Sequence, residues 1–233
     1  MREIVLDTET TGLDPFQGHR LVEIGCVELI NGIPSGQTFH SYFNPERDMP
    51  PEAFAVHGLS EEFLKDKLFF SEVADDLLAF LGDASLVIHN AGFDIGFLNA
   101  ELERVRRPPL ARERLVDTLL IARRKHPGGS NRLDDLCARY AIDNSRRTKH
   151  GALLDAELLA EVYVELIGAR QAQLVLAQAA APGVTAGAAI IVRERPTPLP
   201  PRLTDDERVA HRAFVATLGT NAIWRDYIGV NSG

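Results

Sequence analysis

Three apolar residues, Ile4-Val5-Leu6, run directly into Asp7-Thr8-Glu9-Thr10-Thr11-Gly12. The apolar residues read as the end of a buried strand. Asp7 and Glu9 are two positions apart, so in a continuing strand both carboxylates leave on one face. Like charges held that close raise each other's pKa. A fold tolerates such a pair most easily when a cation neutralises it. Oxygen-only donors suit Mg²⁺ or Mn²⁺ rather than zinc. A second reading stays open here: Thr10-Thr11-Gly12-Leu13-Asp14-Pro15 is turn-like, so the acids could simply begin a polar turn.

The 233 residues, 45% of them hydrophobic, suffice for one domain of about 150–200 residues plus a tail. The two cysteines, Cys26 and Cys137, sit far apart in apolar segments, which argues against a disulfide framework and for a reducing cytoplasm. No signal-peptide pattern precedes the first strand, and no apolar run is long enough to span a membrane. A cytoplasmic chain without a membrane partner is expected.

The net charge of −8 argues at first against a nucleic-acid partner. It is unevenly spread: residues 1–168 hold 18 Lys+Arg against 28 Asp+Glu, residues 169–233 hold 7 against 5. An acidic chain still binds phosphates if bound metals change the local sign and a few cations meet the backbone. Candidates are Arg104, Arg106 and Arg107; Arg123, Arg124 and Lys125; and Arg146, Arg147 and Lys149. Each group also reads as a solvated helix end or loop.

In chain order, Glu3–Leu6 reads as the first strand, Leu21–Leu29 as the second and Thr38–Phe43 as the third. Asn31-Gly32 is the hairpin between the last two. Pro45, Pro50 and Pro51 mark a loop, and Ser60-Glu61-Glu62 opens a short helix. Ser71 is the expected N-cap of a helix ending at Leu81-Gly82. Ser85–Ile88 is a fourth strand, followed by a helix carrying Phe93, Phe97, Leu98 and Leu102 inward. Leu115-Val116 is a fifth strand, with Asp117 or Thr118 capping the next helix. Two more helices cover about Leu133–Tyr140 and Ala152–Ile167. A meander followed by strand–helix units predicts an α/β fold, a mixed sheet covered by helices.

Three further residues join Asp7 and Glu9. Asp94 falls in a helix's first turn just after a strand, near the sheet edge where sites form in α/β folds; a helix-start acid is also favoured by the dipole alone. His150 and Asp155 are five apart, about 140° on one helix. They converge more easily with His150 on a loop, Gly151 at the boundary and Asp155 in the helix. Four acids and a histidine beside element ends look like a two-metal phosphodiesterase. Two divalent ions about 3.5–4 Å apart would clamp a scissile phosphate, and a histidine would take the attacking water's proton.

DTETTGLDP, HNAGFDIGF and HGALLDAELLAEVY resemble the three exonuclease motifs of the DEDD superfamily, in its histidine branch. PEAFAVHGL, LVIHNAGFDIGFL, LCARYAIDNSRRTKHGALLDAELLAEVY and the tail resemble the epsilon family, the proofreading 3′→5′ exonucleases of bacterial DNA polymerase III. The resemblance spans residues 4–167 and implies a ribonuclease-H-like, five-stranded fold. It implies two Mg²⁺ or Mn²⁺ ions held by Asp7, Glu9 and Asp155, with Asp94 acting partly through water and His150 as general base. Thr10, Glu52 and His57, with Asp7, Glu9 and Asp155, are implied to contact the terminal nucleotide. The implied reaction is hydrolysis of the 3′-terminal phosphodiester of single-stranded or mispaired DNA, releasing deoxynucleoside 5′-monophosphates. Mispaired ends would be selected because unpairing them takes less energy.

The expected domains are 1–168 (exonuclease), 169–203 (a flexible Ala/Gln- and Pro-rich linker) and 204–233 (a docking tail). Thr204-Asp205-Asp206-Glu207 forms a capping-box pattern before Val209, Phe214, Val215 and Leu218. The resemblance implies docking of this tail on the polymerase (alpha) subunit. Gln171–Leu176 resembles a weak sliding-clamp-binding peptide, in a register that Gln171 or Gln173 could lead; an Ala-rich linker with incidental leucines is the other reading. A free-standing exonuclease acting on RNA or short oligonucleotides would share every catalytic residue but would need no such tail.

Overall fold

A computed structural model describes residues 1–169, 203–219 and 224. They fall into two units, Met1–Leu174 and Val175–Gly233. The first unit runs β1 (Arg2–Thr10), β2 (Leu21–Ile30), β3 (Ile33–Tyr42), α1 (Pro51–His57), α2 (Glu61–Lys65), α3 (Phe70–Leu81), β4 (Ser85–Ile88), α4 (Ala91–Arg104), β5 (Leu115–Asp117), α5 (Thr118–Lys125), α6 (Leu133–Tyr140) and α7 (Ala152–Leu166). The second holds α8 (Asp205–Thr217).

The sheet order is β3-β2-β1-β4-β5. The β1–β2 and β2–β3 pairs are antiparallel, and β4 joins β1, and β5 joins β4, in parallel. This is the mixed five-stranded sheet covered by helices that the pattern predicts. Asn31 (φ +55°) and Gly32 (φ +76°) both adopt the left-handed conformation that a tight two-residue hairpin requires.

β1 lies centrally and is buried on both faces, which explains its unbroken apolar run. Its side chains alternate between two cores. Ile4 and Leu6 pack with Leu77, Leu81, Phe97 and Leu98 of α3 and α4. Val5 packs with Val87 of β4 and with Ala156, Leu159 and Tyr163 of α7. A third cluster joins α5 and α6 to the outer side of α7 through Ala122, Leu136, Cys137, Leu158 and Val162.

The register fixes α7 against the sheet. Gly25 stands opposite Asp7 across the β1–β2 ladder. A Cβ on Gly25 would lie 2.2 Å from the Leu153 backbone nitrogen and 2.4 Å from the Ala152 carbonyl carbon. The first turn of α7 therefore rests directly on β2 where only hydrogen fits. At its other end the buried Tyr163 hydroxyl donates to Glu3 Oε1 at 2.7 Å.

Several local expectations need correction. β1 continues through both acids to Thr10, and β3 begins at Ile33 instead of Thr38. The proline-marked loop ends at Pro50, which caps α1; Pro51 opens that helix, where a proline lacks no hydrogen bond it would otherwise make. Phe69, not Ser71, caps α3, and Glu72 accepts its backbone N–H at 2.8 Å. Phe93 is only half-buried, because it faces a cavity.

Gly25→Ala should lower stability by about 1–3 kcal/mol, since the added methyl must push α7 off the sheet. Urea unfolding measures it; an unchanged midpoint would show that the α7–β2 contact is not this close.

Candidate active site

The alternation along β1 sorts the acids. Asp7 and Glu9 share the parity of Val5 and emerge on the face covered by α7. Thr8 emerges on the other face, toward α4. Its hydroxyl donates to Asp94 Oδ1 at 2.7 Å. Asp94 lies in the first turn of α4, behind Asn90, which caps the helix from a left-handed conformation (φ +66°). Asp155 lies in the first turn of α7, its N–H bonded to the Gly151 carbonyl at 2.9 Å. His150 precedes the Gly151 N-cap on the loop, and its N–H reaches the Val56 carbonyl of α1 at 3.3 Å. The four acids and the histidine thus gather at the C-terminal end of the central strand, with His150 on the loop as the spacing required.

Arg147 holds this cluster together. Its side chain is only 7% exposed. Nε and Nη2 grip both oxygens of Asp155 at 2.6 and 2.7 Å, and Nη1 reaches Asp134 Oδ2 at 2.7 Å. Nη2 also lies 2.7 Å from His150 Nδ1. The same Nδ1 lies 3.2 Å from Asp155 Oδ2, so the imidazole is wedged between the guanidinium and the carboxylate. The sequence offered Arg147 only as one of a basic run. Its bidentate role follows from where the loop and α7 meet.

Burial pushes the Asp7 carboxyl well up, and the Asp94, Glu9 and Asp155 charges push it further. Glu9 rises to about 8, through burial first and then Asp155 and Glu23. Asp94 rises to about 7 through burial, against the opposing Thr8 hydrogen bond. Burial also pushes Asp155 up, but Arg147 and His150 outweigh it and leave the group below its ordinary value. Three of the four acids are therefore short of positive charge. Donor atoms of Glu9, His150 and Asp155 lie within 4.8 Å of one another. An oxygen-rich, electron-rich set of this kind fits a hard divalent cation. Among the described residues Asp7 and Asp94 fall outside that close group.

A cavity of about 660 Å³ opens beside the acids. Thr10, Leu13, Val56, His57, Phe93 and Glu52 line it with Asp7, Glu9, Asp94 and His150. Thr10 spends its hydroxyl on the Gly12 carbonyl at 2.6 Å. Glu52 is exposed in the first turn of α1. The Leu59 N–H donates to His57 Nδ1 at 3.0 Å, so the proton sits on Nε2. That Nε2 is buried without a partner. Burial lowers the His57 pKa, with the Thr10 backbone opposing. His57 is thus a neutral donor in the cavity wall. Glu52 and His57 sit on α1, not on a loop, and α1 reaches the site because its Val56 carbonyl bonds the His150 backbone.

An acid cluster at the end of a central strand, opening on a cavity of about 660 Å³, suits a cation-assisted hydrolase of phosphodiesters. The sequence profile of the Exonuclease family matches residues 4–163. The solved structure of exonuclease X in complex with 5′-overhanging duplex DNA has a TM-score of 0.54 and 25% identity, covering 72% of this chain and 92% of that one. Similar relatives are narrower in kind. The DNA polymerase III subunit epsilon of Rickettsia conorii is 58% identical over 174 residues, covering 73% of this chain and 76% of that one. The Escherichia coli subunit epsilon is 44% identical over 236 residues, covering 96% and 97%. The chain belongs to the exonuclease family and, within it, to the epsilon subunits of DNA polymerase III.

The raised carboxyls bind protons more tightly folded than unfolded. Their stabilising effect is full below the ordinary carboxylate range and is lost as pH rises through about 7 for Asp94 and about 8 for Glu9. In chelator, the thermal midpoint should fall from about pH 5 to about pH 8, with Glu9→Gln flattening the fall. A midpoint that rises over this range in wild type would contradict the buried-acid picture.

Proposed function

We propose that the chain is the proofreading 3′→5′ exonuclease of a replicative DNA polymerase. It hydrolyses the 3′-terminal phosphodiester of single-stranded or mispaired DNA and releases deoxynucleoside 5′-monophosphates. The observation that supports this best is that Asp7, Glu9, Asp94 and His150 line one cavity while donor atoms of Asp155 lie within 4.8 Å of those of Glu9 and His150. Asp7, Glu9 and Asp155 are the residues that would hold two Mg²⁺ or Mn²⁺ ions, with Asp94, fixed by Thr8, acting partly through water. Bound there, divalent cations supply the positive charge that polarises the phosphate and the attacking water. His57 Nε2, Glu52 and the Thr10 backbone face the terminal nucleotide, and Val56 and Phe93 give its base an apolar wall.

His150 takes the proton of the attacking water. Its Nδ1 lies 2.7 Å from Arg147 Nη2 and 3.2 Å from Asp155 Oδ2, contacts that fix the ring beside the acids. His150→Ala should lower turnover by about 10²–10⁴-fold while leaving single-strand binding nearly unchanged. Asp7→Ala, Glu9→Ala and Asp155→Ala should each abolish hydrolysis with the fold retained. Near-wild-type turnover at saturating Mg²⁺ in any one variant would remove that residue from the cation site.

We further propose the division 1–168, 169–203 and 204–233, and polymerase docking through the last part. α8 is the helix expected there, and Thr204 and Glu207 form its capping box. Val215 is buried, but Val209, Phe214, Leu218 and Trp224 are 64, 61, 47 and 54% exposed. So much exposed apolar surface on one short segment suits a partner protein. Deleting residues 200–233 should spare hydrolysis of free single strands and abolish co-elution with the polymerase subunit; retained co-elution would place the contact elsewhere. The clamp-binding candidate Gln171–Leu176 and the proline-rich stretch lie outside the described residues. A 168–180 peptide titrated against the sliding clamp should bind weakly, and a peptide with both glutamines and both leucines replaced by alanine should not.

A further inference from the structure

The carboxylate site opens on two sides. The nucleotide-sized cavity lies on one. On the other lies a groove of about 830 Å³. Asp7, His89, Asn90 and His150 line both, so the acids stand where the two meet. Cleavage of a terminal phosphodiester divides its substrate in the same way. One nucleoside lies on one side of the reacting phosphorus, and the rest of the strand on the other.

The two openings differ in chemistry. Leu13, Val56 and Phe93 give the cavity apolar surface for a base. Arg123, His126 and Arg132 line the groove, with Gly128 and Gly129 between them. Arg123 and Arg132 are exposed and have no hydrogen-bond or ion-pair partner among the described residues. Several other cations of the candidate runs are engaged, while Arg106 and Arg124, also without such a partner among the described residues, line a separate groove beside α4 that includes none of the four site acids. Arg107 binds Asp75, Arg146 binds Glu157, Arg147 binds Asp134 and Asp155, and Lys125 caps the Glu165 and Leu166 carbonyls. What sets Arg123 and Arg132 apart is that their groove reaches the site acids, with Asp7 and Asp155 in its lining. Of the groove's carboxylates, Asp134 and Asp155 are held by Arg147, and Asp7 stands where the groove meets the cavity.

The wall carrying these arginines is built in advance. His89 Nε2 donates to the Asn131 carbonyl at 2.9 Å, and Asn131 Nδ2 donates to the Gly129 carbonyl at 2.9 Å. His126 Nε2 meets the Tyr140 hydroxyl at 2.7 Å, and Arg139 Nη2 donates to the Ser130 carbonyl at 3.1 Å. A ligand seated there would not have to order the loop, so little binding energy is lost.

We propose that this groove is the path of the strand upstream of the scissile bond, its phosphates lying against Arg123 and Arg132. The inference rests on the exonuclease reading and adds a second subsite and a polarity to it. The 3′-terminal nucleoside occupies the cavity and the 5′ side of the strand leaves along α5 and the 126–132 loop. Contacts to phosphate alone read no sequence, which suits an enzyme that must accept every end.

The test compares the full chain with an Arg123→Glu/Arg132→Glu variant, and with Arg112→Glu/Arg124→Glu in a separate groove beside α4. Two substrates separate the subsites: thymidine 5′-p-nitrophenyl phosphate, which has no upstream strand, and single-stranded octathymidylate. For the first variant we expect octamer KM to rise about tenfold or more, with a shallower salt dependence, and ester hydrolysis to stay unchanged. The second variant should match wild type on both. Labelled octamer binding in chelator, read by anisotropy, supplies an arm independent of turnover. Equal octamer affinity in wild type and the first variant overturns the groove. So does a parallel loss on the ester. A wild type that binds the octamer through these arginines but hydrolyses neither substrate overturns the catalytic reading and leaves the groove standing.

Discussion

Repulsion among Asp7, Glu9, Asp94 and Asp155 is the constraint on which the rest of the molecule depends. Burial raises the pKa values of Asp7, Glu9 and Asp94, and neighbouring carboxylates raise Asp7 and Glu9 further. The fold keeps them there because β1 cannot move. It pairs on both edges and is covered on both faces. The energy that holds the acids together comes from apolar contacts at Ile4, Val5 and Leu6, a few residues upstream of the charges.

Arg147 relieves part of this repulsion from within the chain. It lowers the Asp7, Glu9 and Asp155 pKa values while joining the 144–150 loop to α6 through Asp134 and to α7 through Asp155. A buried guanidinium held by two carboxylates is a strong restraint, because breaking either pair leaves charge uncompensated. It also shares Asp155 and His150 with the chemistry those residues are proposed to perform. Stability before catalysis and freedom during it thus draw on the same two side chains.

Local acidity need not conflict with a polyanionic substrate. The acids are concentrated at one point, and unpaired arginines lie to one side of it while apolar side chains lie to the other. Net charge averages over this arrangement and hides it. The position of a few unpaired cations relative to the acids matters more than the sum.

The sequence by itself determined β1 and its two acids, the Asn31-Gly32 hairpin, β4 at Ser85–Ile88, α6 at Leu133–Tyr140 and the Gly151 boundary that puts His150 on a loop. Those features are set by neighbours in the chain: strand parity, a left-handed turn, helix periodicity. Residue patterns assembled the five site residues, and the motif resemblance added Glu52 and His57, which no local pattern marks. Tertiary structure alone decided that Pro51–His57 is helical, that Phe93 turns to a cavity, and that Arg147, Thr8 and Gly25 position the acids. Thr8 reaches Asp94 across 86 residues of sequence. Gly25 matters only because α7 returns to β2 after more than a hundred residues. Such contacts carry no periodic signal, since the partners are brought together by packing and not by the chain.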